Sequence, residues 1–317
     1  VLFRDTDGFR VTYAVIGNRV TLTSDAGAIT QSTGYMDGVQ ANQLTVSAVD
    51  GISLNNEWNG IRRILGLTNS GSGGIDVGGR GVNMVLDGNV TAAGQAVSLT
   101  SRNASLTQTS GSIIANSLSA SAATGIALNS TTNNVASLTT LSNITSGGIA
   151  YTDADGYNIT GNITAAGQTV SLRSMSASAQ ILQATSNSVI TAGVINLNGG
   201  GYYRLYGPTG SNGNAIDAIG NVDTALTLNV TGAVDLRGDI VTNYLELRAQ
   251  GAITQSSGKI ENLDPISQVS FRGASIALTS ATNRLGWLEG LDAKYGGSGT
   301  GDIALVSLRD LSLGGMR

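Results

Sequence analysis

One twelve-residue segment occurs twice in this chain, almost unchanged. Gly88-Asn89-Val90-Thr91-Ala92-Ala93-Gly94-Gln95-Ala96-Val97-Ser98-Leu99 and Gly161-Asn162-Ile163-Thr164-Ala165-Ala166-Gly167-Gln168-Thr169-Val170-Ser171-Leu172 agree at ten of twelve positions. A degraded copy, Gly238-Asp239-Ile240-Val241-Thr242-Asn243-Tyr244-Leu245-Glu246-Leu247, is slightly shorter. Two further markers run in the same order. Ile29-Thr30-Gln31, Leu106-Thr107-Gln108, Ile181-Leu182-Gln183 and Ile253-Thr254-Gln255 form one series. Ile52-Ser53-Leu54, Ile126-Ala127-Leu128, Ile195-Asn196-Leu197 and Ile276-Ala277-Leu278 form the other, and both series advance by nearly the same step each time. The chain therefore divides into four units of about 75 residues, approximately 20–95, 96–168, 169–243 and 244–317, within one segment spanning 1–317. A fixed period of this kind is the signature of a repeat architecture.

Within a unit the strand signal is short and alternating. Val20-Thr21-Leu22-Thr23, Leu44-Thr45-Val46-Ser47, Val97-Ser98-Leu99-Thr100 and Leu226-Thr227-Leu228-Asn229-Val230 place apolar and polar residues on opposite faces. Gly, Asn, Ser and Asp clusters bound each run. A sandwich needs no four-copy repeat, and propeller blades are shorter and carry aromatic signatures. The expected fold is all-β: a right-handed parallel β-helix, or β-solenoid, of roughly 13 coils. At about 4.8 Å per coil this makes a rod on the order of 60 Å long. A corner motif is expected where Asn59, Asn134 and Asn283 each precede apolar residues spaced by three: Ile61, Ile64, Leu67; Val135, Leu138, Leu141; and Leu285, Leu288, Leu291. That spacing fits a strand bending at a solenoid corner better than a helical turn. In the third unit Gly199–Pro208 is expected to replace the motif.

Composition supports a repeated small core. Aromatic residues are 4% of the chain and charged residues 12%, so Val, Ile, Leu and Ala fill the interior and Ser, Thr and Asn cover the outside. A net charge of −4 without a basic stripe argues against nucleic-acid binding. No apolar run is long enough for a membrane helix. The chain has no Cys and no His, which removes thiolate chemistry and the usual neutral-pH general base.

Runs such as Val20-Thr21-Leu22-Thr23-Ser24-Asp25-Ala26-Gly27-Ala28-Ile29-Thr30-Gln31-Ser32 and Ile276-Ala277-Leu278-Thr279-Ser280-Ala281-Thr282-Asn283 resemble the filamentous-haemagglutinin family of two-partner-secretion exoproteins. The resemblance covers about residues 10–310 and is one of composition and period. It implies a right-handed parallel β-helix, export through an outer-membrane secretion partner, and service as an adhesin, biofilm scaffold or toxin-delivery stalk. Localisation would be secreted, extracellular or at the cell surface. The family's amino-terminal secretion domain carries Asn-Pro motifs, and neither Pro208 nor Pro265 follows Asn. The segment is accordingly expected to be shaft, a fragment of a longer one. Its expected partners are further coils of the same chain or end-to-end copies of itself, with a host-cell or matrix surface as target.

Candidate sites compete with structural readings. Arg237-Gly238-Asp239 spells an integrin-recognition tripeptide, yet aligned copies place Asp87-Gly88-Asn89 and Thr160-Gly161-Asn162 at the same turn. Asn89, Asn103, Asn129, Asn143, Asn158, Asn162 and Asn229 head glycosylation sequons. Such a sequon is also what a strand following an Asn turn looks like. Tyr202, Tyr203, Arg204 and Tyr206 concentrate aromatics beside a cation, suited to a sugar or protein partner or to a packing plug. Asp153-Ala154-Asp155-Gly156 reads as a turn, since later calcium ligands are missing. No metal, cofactor or catalytic residue is assigned, and no enzymatic activity is expected. The alternative is a polysaccharide lyase or hydrolase on the same fold, for which Asp217, Asp223, Asp235 and Asp239 would have to converge. Ice binding by a Thr array ranks last, because Thr alternates with Ser and Asn.

Overall fold

The structure is a computed structural model. It describes all residues except 35–36, 185–187, 208–212, 263–267, 296–300 and 317, and the side chains of 313–316. Every described regular element is a strand, and the described ladders are parallel. The chain is an all-β solenoid of about 13 turns. It clusters into two compact units, Val1–Ala154 and Asp155–Arg317.

In the first unit, equivalent side chains of successive coils stack in register. Ile29, Ile52, Ile75, Val97, Leu118 and Leu138 form one buried column. Leu22, Val46, Leu67, Val90 and Ile113 form a second. Each step along a column, from Ile29 to Ile52 for example, is one coil of the chain. The alternating sequence dictates this: period-two strands turn every second residue inward, and stacking them leaves each aliphatic residue on its equivalent. Each fully buried aliphatic side chain contributes roughly 1.5–3 kcal/mol.

The second unit repeats the arrangement with a bulkier core. Ile181, Tyr203, Leu226, Leu245 and Val269 stack in one column, and Leu205, Leu228, Leu247, Phe271 and Leu291 in another. Tyr203 and Phe271 are fully buried.

The residues spaced by three belong to strands, except Leu285, which precedes the strand Trp287–Asp292. Gly60–Asn69 and Asn134–Asn143 each contain one register shift, at Leu44/Thr45 and Leu118/Ser119 of their partner strands. Such a β-bulge sets two residues against one and bends the strand. Ile64 and Leu67 thus both point inward with two residues between them.

The Asn of the second corner needs correcting from Asn134 to Asn133. Asn133 is fully buried, like Asn59 and Asn283, whereas Asn134 is exposed. In the third unit the motif is displaced, not replaced: Asn214 takes the position, beyond residues 208–212, and Pro208 itself lies outside the described residues.

Candidate functional site

The marker Gln and the corner Asn turn out to be partners. Gln31 Nε2 donates to Asn59 Oδ1 at 2.8 Å, and Asn59 Nδ2 donates back to Gln31 Oε1 at 3.0 Å. The same reciprocal pair joins Gln108 to Asn133, Gln183 to Asn214 and Gln255 to Asn283. Each Asn Oδ1 also accepts a backbone N–H, from Val39, Ile113, Ile190 and Ile260 respectively. Asn59 Nδ2 further donates to Leu54 O and Gly78 O, on successive coils. A buried amide so fully paired fixes how one coil sits on the next. Its chemistry is structural.

The turn motif is structural too. Asn89 Oδ1 accepts Ser112 N at 3.0 Å, and Asn162 Oδ1 accepts Val189 N at 3.0 Å. In the second unit the rungs run on. Asn196 Oδ1 accepts Asn221 N, Asn221 Oδ1 accepts Asp239 N, and Asp239 Oδ1 accepts Lys259 N at 3.1 Å. Asp239 of the Arg-Gly-Asp tripeptide is therefore a rung in this ladder. Arg237 turns to Asp235, with Nε 2.9 Å from Oδ2. Burial works to raise the Asp235 pKa, but hydrogen bonds from Ser256, Arg237 and Thr254 outweigh it and hold it below the ordinary carboxylate value.

Other sequon residues divide by exposure. Asn103, Asn129 and Asn158 are exposed. Asn143 is buried, accepts Gly125 N and donates to Ser146 O, so its amide is closed to modification. Asp153 lies in the core of the first unit, where it accepts the Tyr151 hydroxyl at 2.7 Å and Val135 N at 3.0 Å. Asp223 accepts Gly199 N, so the four Asp residues considered for catalysis serve separate local contacts where their contacts are described.

The tyrosine cluster separates into core and surface. Tyr203 is buried, and its hydroxyl donates to Leu172 O and Asn198 O at 3.2 Å each. Burial pushes its pKa far up. Tyr202 stays half-exposed, hydrogen-bonds Thr227 through its hydroxyl, and carries the Arg204 guanidinium 4.7 Å above its ring. Tyr244, absent from the sequence-level candidates, packs edge-on against Tyr202 with centroids 5.4 Å apart. Tyr206 is half-buried.

Below Tyr202 the outward face continues as a polar groove of about 410 Å³, lined by Tyr244, Glu246, Gln268, Ser270, Arg272 and Glu289 among others. Thr227, Glu246 and Ser270 follow one another in register, as do Asn229, Arg248 and Arg272. Arg248 Nε holds Glu246 at 3.0 Å. Asn229 Oδ1 is buried and takes no hydrogen bond. Aromatic rings, guanidinium groups and carboxylates thus share one strand face of the second unit. Aligning the chain strand by strand, each coil on its own length, would have set Tyr244 in line with Tyr202, two coils on.

No protein-family model, characterised protein or solved structure matches the chain.

Proposed function

We propose that this chain is a structural and adhesive shaft segment of a secreted bacterial surface protein of the filamentous-haemagglutinin kind. The observation that carries the reading is the reciprocal Gln–Asn pair, present four times among the described residues with its Asn fully buried each time. The repeated polar residues of the chain are thereby committed to coil stacking, as a shaft requires. Adhesion falls to the Tyr202–Arg204–Tyr244 face and its groove. Export would use an outer-membrane partner. Strand Leu2–Asp5 pairs with Val15–Ser24 and exposes Leu2 and Phe3, an apolar edge suited to another coil, from the same chain or a copy. Bacteria displaying the segment should gain attachment to host cells or matrix, and Tyr244→Ala with Arg204→Gln should remove the gain. Equal attachment with and without the segment would overturn the adhesive part.

A carbohydrate-active enzyme is the second reading, favoured by one observation: Glu246 and Glu289 line the same groove. Against it, Glu246 is ion-paired to Arg248. New reducing or unsaturated ends after incubation with acidic and neutral polysaccharides would establish the enzyme.

A further inference from the structure

Two arginines of the first unit face each other across adjacent coils with no carboxylate ion-paired to either among the described residues. Arg80 and Arg102 are directly opposite in the parallel ladder that joins Ile75–Arg80 to Val90–Arg102. Strands in such a ladder are about 4.8 Å apart, so the two side chains leave the ladder as neighbours. Some arginines of this chain are answered by acids, Arg4 by Asp25, Arg63 by Asp87, Arg237 by Asp235 and Arg284 by Glu261, while others such as Arg10, Arg62 and Arg173 are not, among the described residues. What sets Arg80 and Arg102 apart is that they share one register and one hollow. Arg248 and Arg272 also stand in register, but Glu246 neutralises Arg248.

Both guanidinium groups are nevertheless held in place. Asn55 Nδ2 donates to both carboxylate oxygens of Asp76, at 3.0 Å each. The Asn55 Oδ1 so oriented accepts Arg102 Nη2 at 2.8 Å. Arg102 Nη1 is buried and has no hydrogen-bond partner. Arg80 stacks over Trp58 at 5.6 Å, and a stacked guanidinium keeps its N–H edge available in plane. The two arginines line one hollow of about 420 Å³, together with Glu57, Thr100, Asn103 and Ser121. Asn103 adopts a left-handed φ of 65° at its rim.

We infer that this hollow is an oxyanion-binding site, taking a carboxylate or sulfate between Arg80 and Arg102. The ligand would lie between the two guanidinium groups and accept the charge-assisted hydrogen bonds that their open N–H edges make best. Glu57, Thr100, Asn103 and Ser121 offer hydrogen-bonding partners for hydroxyl groups beside the anion. The inference is independent of the groove in the second unit and of the adhesive reading.

The test uses Trp58 as reporter in the whole chain, with the other tryptophan changed by Trp287→Phe. Emission is titrated at constant ionic strength with sodium galacturonate, sodium sulfate and, as neutral control, galactose. A saturable change is expected with galacturonate, with sulfate, or with both; the comparison tells whether the anion must ride on a sugar. Galactose should give none. Arg80→Gln and Arg102→Gln should each weaken the apparent affinity at least tenfold, while Arg284→Gln should leave it intact. Arg80→Gln keeps the test valid if Arg102→Gln does not fold. A linear, unsaturable response to every anion, or the same saturable response in a folded arginine variant, would overturn the site.

Discussion

Asn133 donates through Nδ2 to Gln108 Oε1 at 3.0 Å while its Oδ1 accepts from Gln108 Nε2 at 2.9 Å, so the two amides close a ring inside the first unit. The same Oδ1 accepts Ile113 N, and the same Nδ2 donates to Leu128 O and Thr152 O. Replacing Asn133 with Ala strands several buried groups at once. The expected cost is on the order of 3 kcal/mol, since each unsatisfied buried group costs about 1–3 kcal/mol and neighbours share the relaxation. Urea unfolding measures the loss. Hydrogen exchange localises it: the Ile113 amide should lose protection, while Val20, remote from the pair in sequence and in register, should not. A variant as stable as the parent would show that the pair does not fix the coils.

The strands were legible in the sequence because their alternation is periodic, but the Ile52-Ser53-Leu54 series was misplaced in the third unit. The strand one coil on from Ile181 is Tyr203-Arg204-Leu205, while Ile195-Asn196-Leu197 stacks on Val170-Ser171-Leu172. The Gln–Asn pair was half legible. Both residues stood out, but as separate markers. Their separation varies, at 28, 25, 31 and 28 residues, because the intervening coil absorbs insertions at its turns. The second Asn was read one residue late because Asn133 and Asn134 are adjacent: the apolar triplet, carried from Ile61 to Val135, sets Asn59 on Asn133 and not on Asn134. The Tyr202–Tyr244 contact was illegible for a related reason. Coils of the second unit differ in length, the one from Leu226 to Leu245 being shorter than the next, from Leu245 to Val269. No single period therefore brings the two rings together.

Acid should weaken the fold through Asp235. Its carboxyl is held below the ordinary value of 3.8 in the folded state, burial being outweighed by hydrogen bonds from Ser256, Arg237 and Thr254. A depressed folded pKa gives stability that is complete above about pH 3.8 and is lost as the pH falls through the folded value. Urea midpoints measured from pH 5 downward should fall, and less steeply in Asp235→Asn. Identical slopes in parent and variant would remove Asp235 from the account.

Alkali should act through Tyr244. Burial, and then the neighbouring Tyr202 hydroxyl, push its pKa to about 12 from an ordinary 10.0. The raised value favours the protonated phenol in the fold. That stability is complete below about pH 10 and is lost as the pH rises through about 12. Phenolate absorbance should show one tyrosine titrating near 12 that disappears in Tyr244→Phe, and Tyr202→Phe should move it downward. Titration of that group near pH 10 in the parent would contradict the packing of the two rings.

The Arg-Gly-Asp tripeptide can be tested by separating its glycine from its charges. A Cβ on Gly238 would lie 2.3 Å from Gly220 C and 2.5 Å from Asn221 N, on the preceding coil. That coil is backbone and cannot yield cheaply, so Gly238→Ala should destabilise the second unit by about 1–3 kcal/mol. Arg237→Ala removes only an ion pair whose arginine is half-exposed, and its effect on stability should stay within about 0.5 kcal/mol. If the tripeptide is a turn of the solenoid, cell attachment should follow stability: reduced in Gly238→Ala at temperatures that unfold it, unchanged in Arg237→Ala. Attachment lost in a fully folded Arg237→Ala protein would instead make the tripeptide a recognition element, with Asp239 acting outside the ladder that holds Lys259.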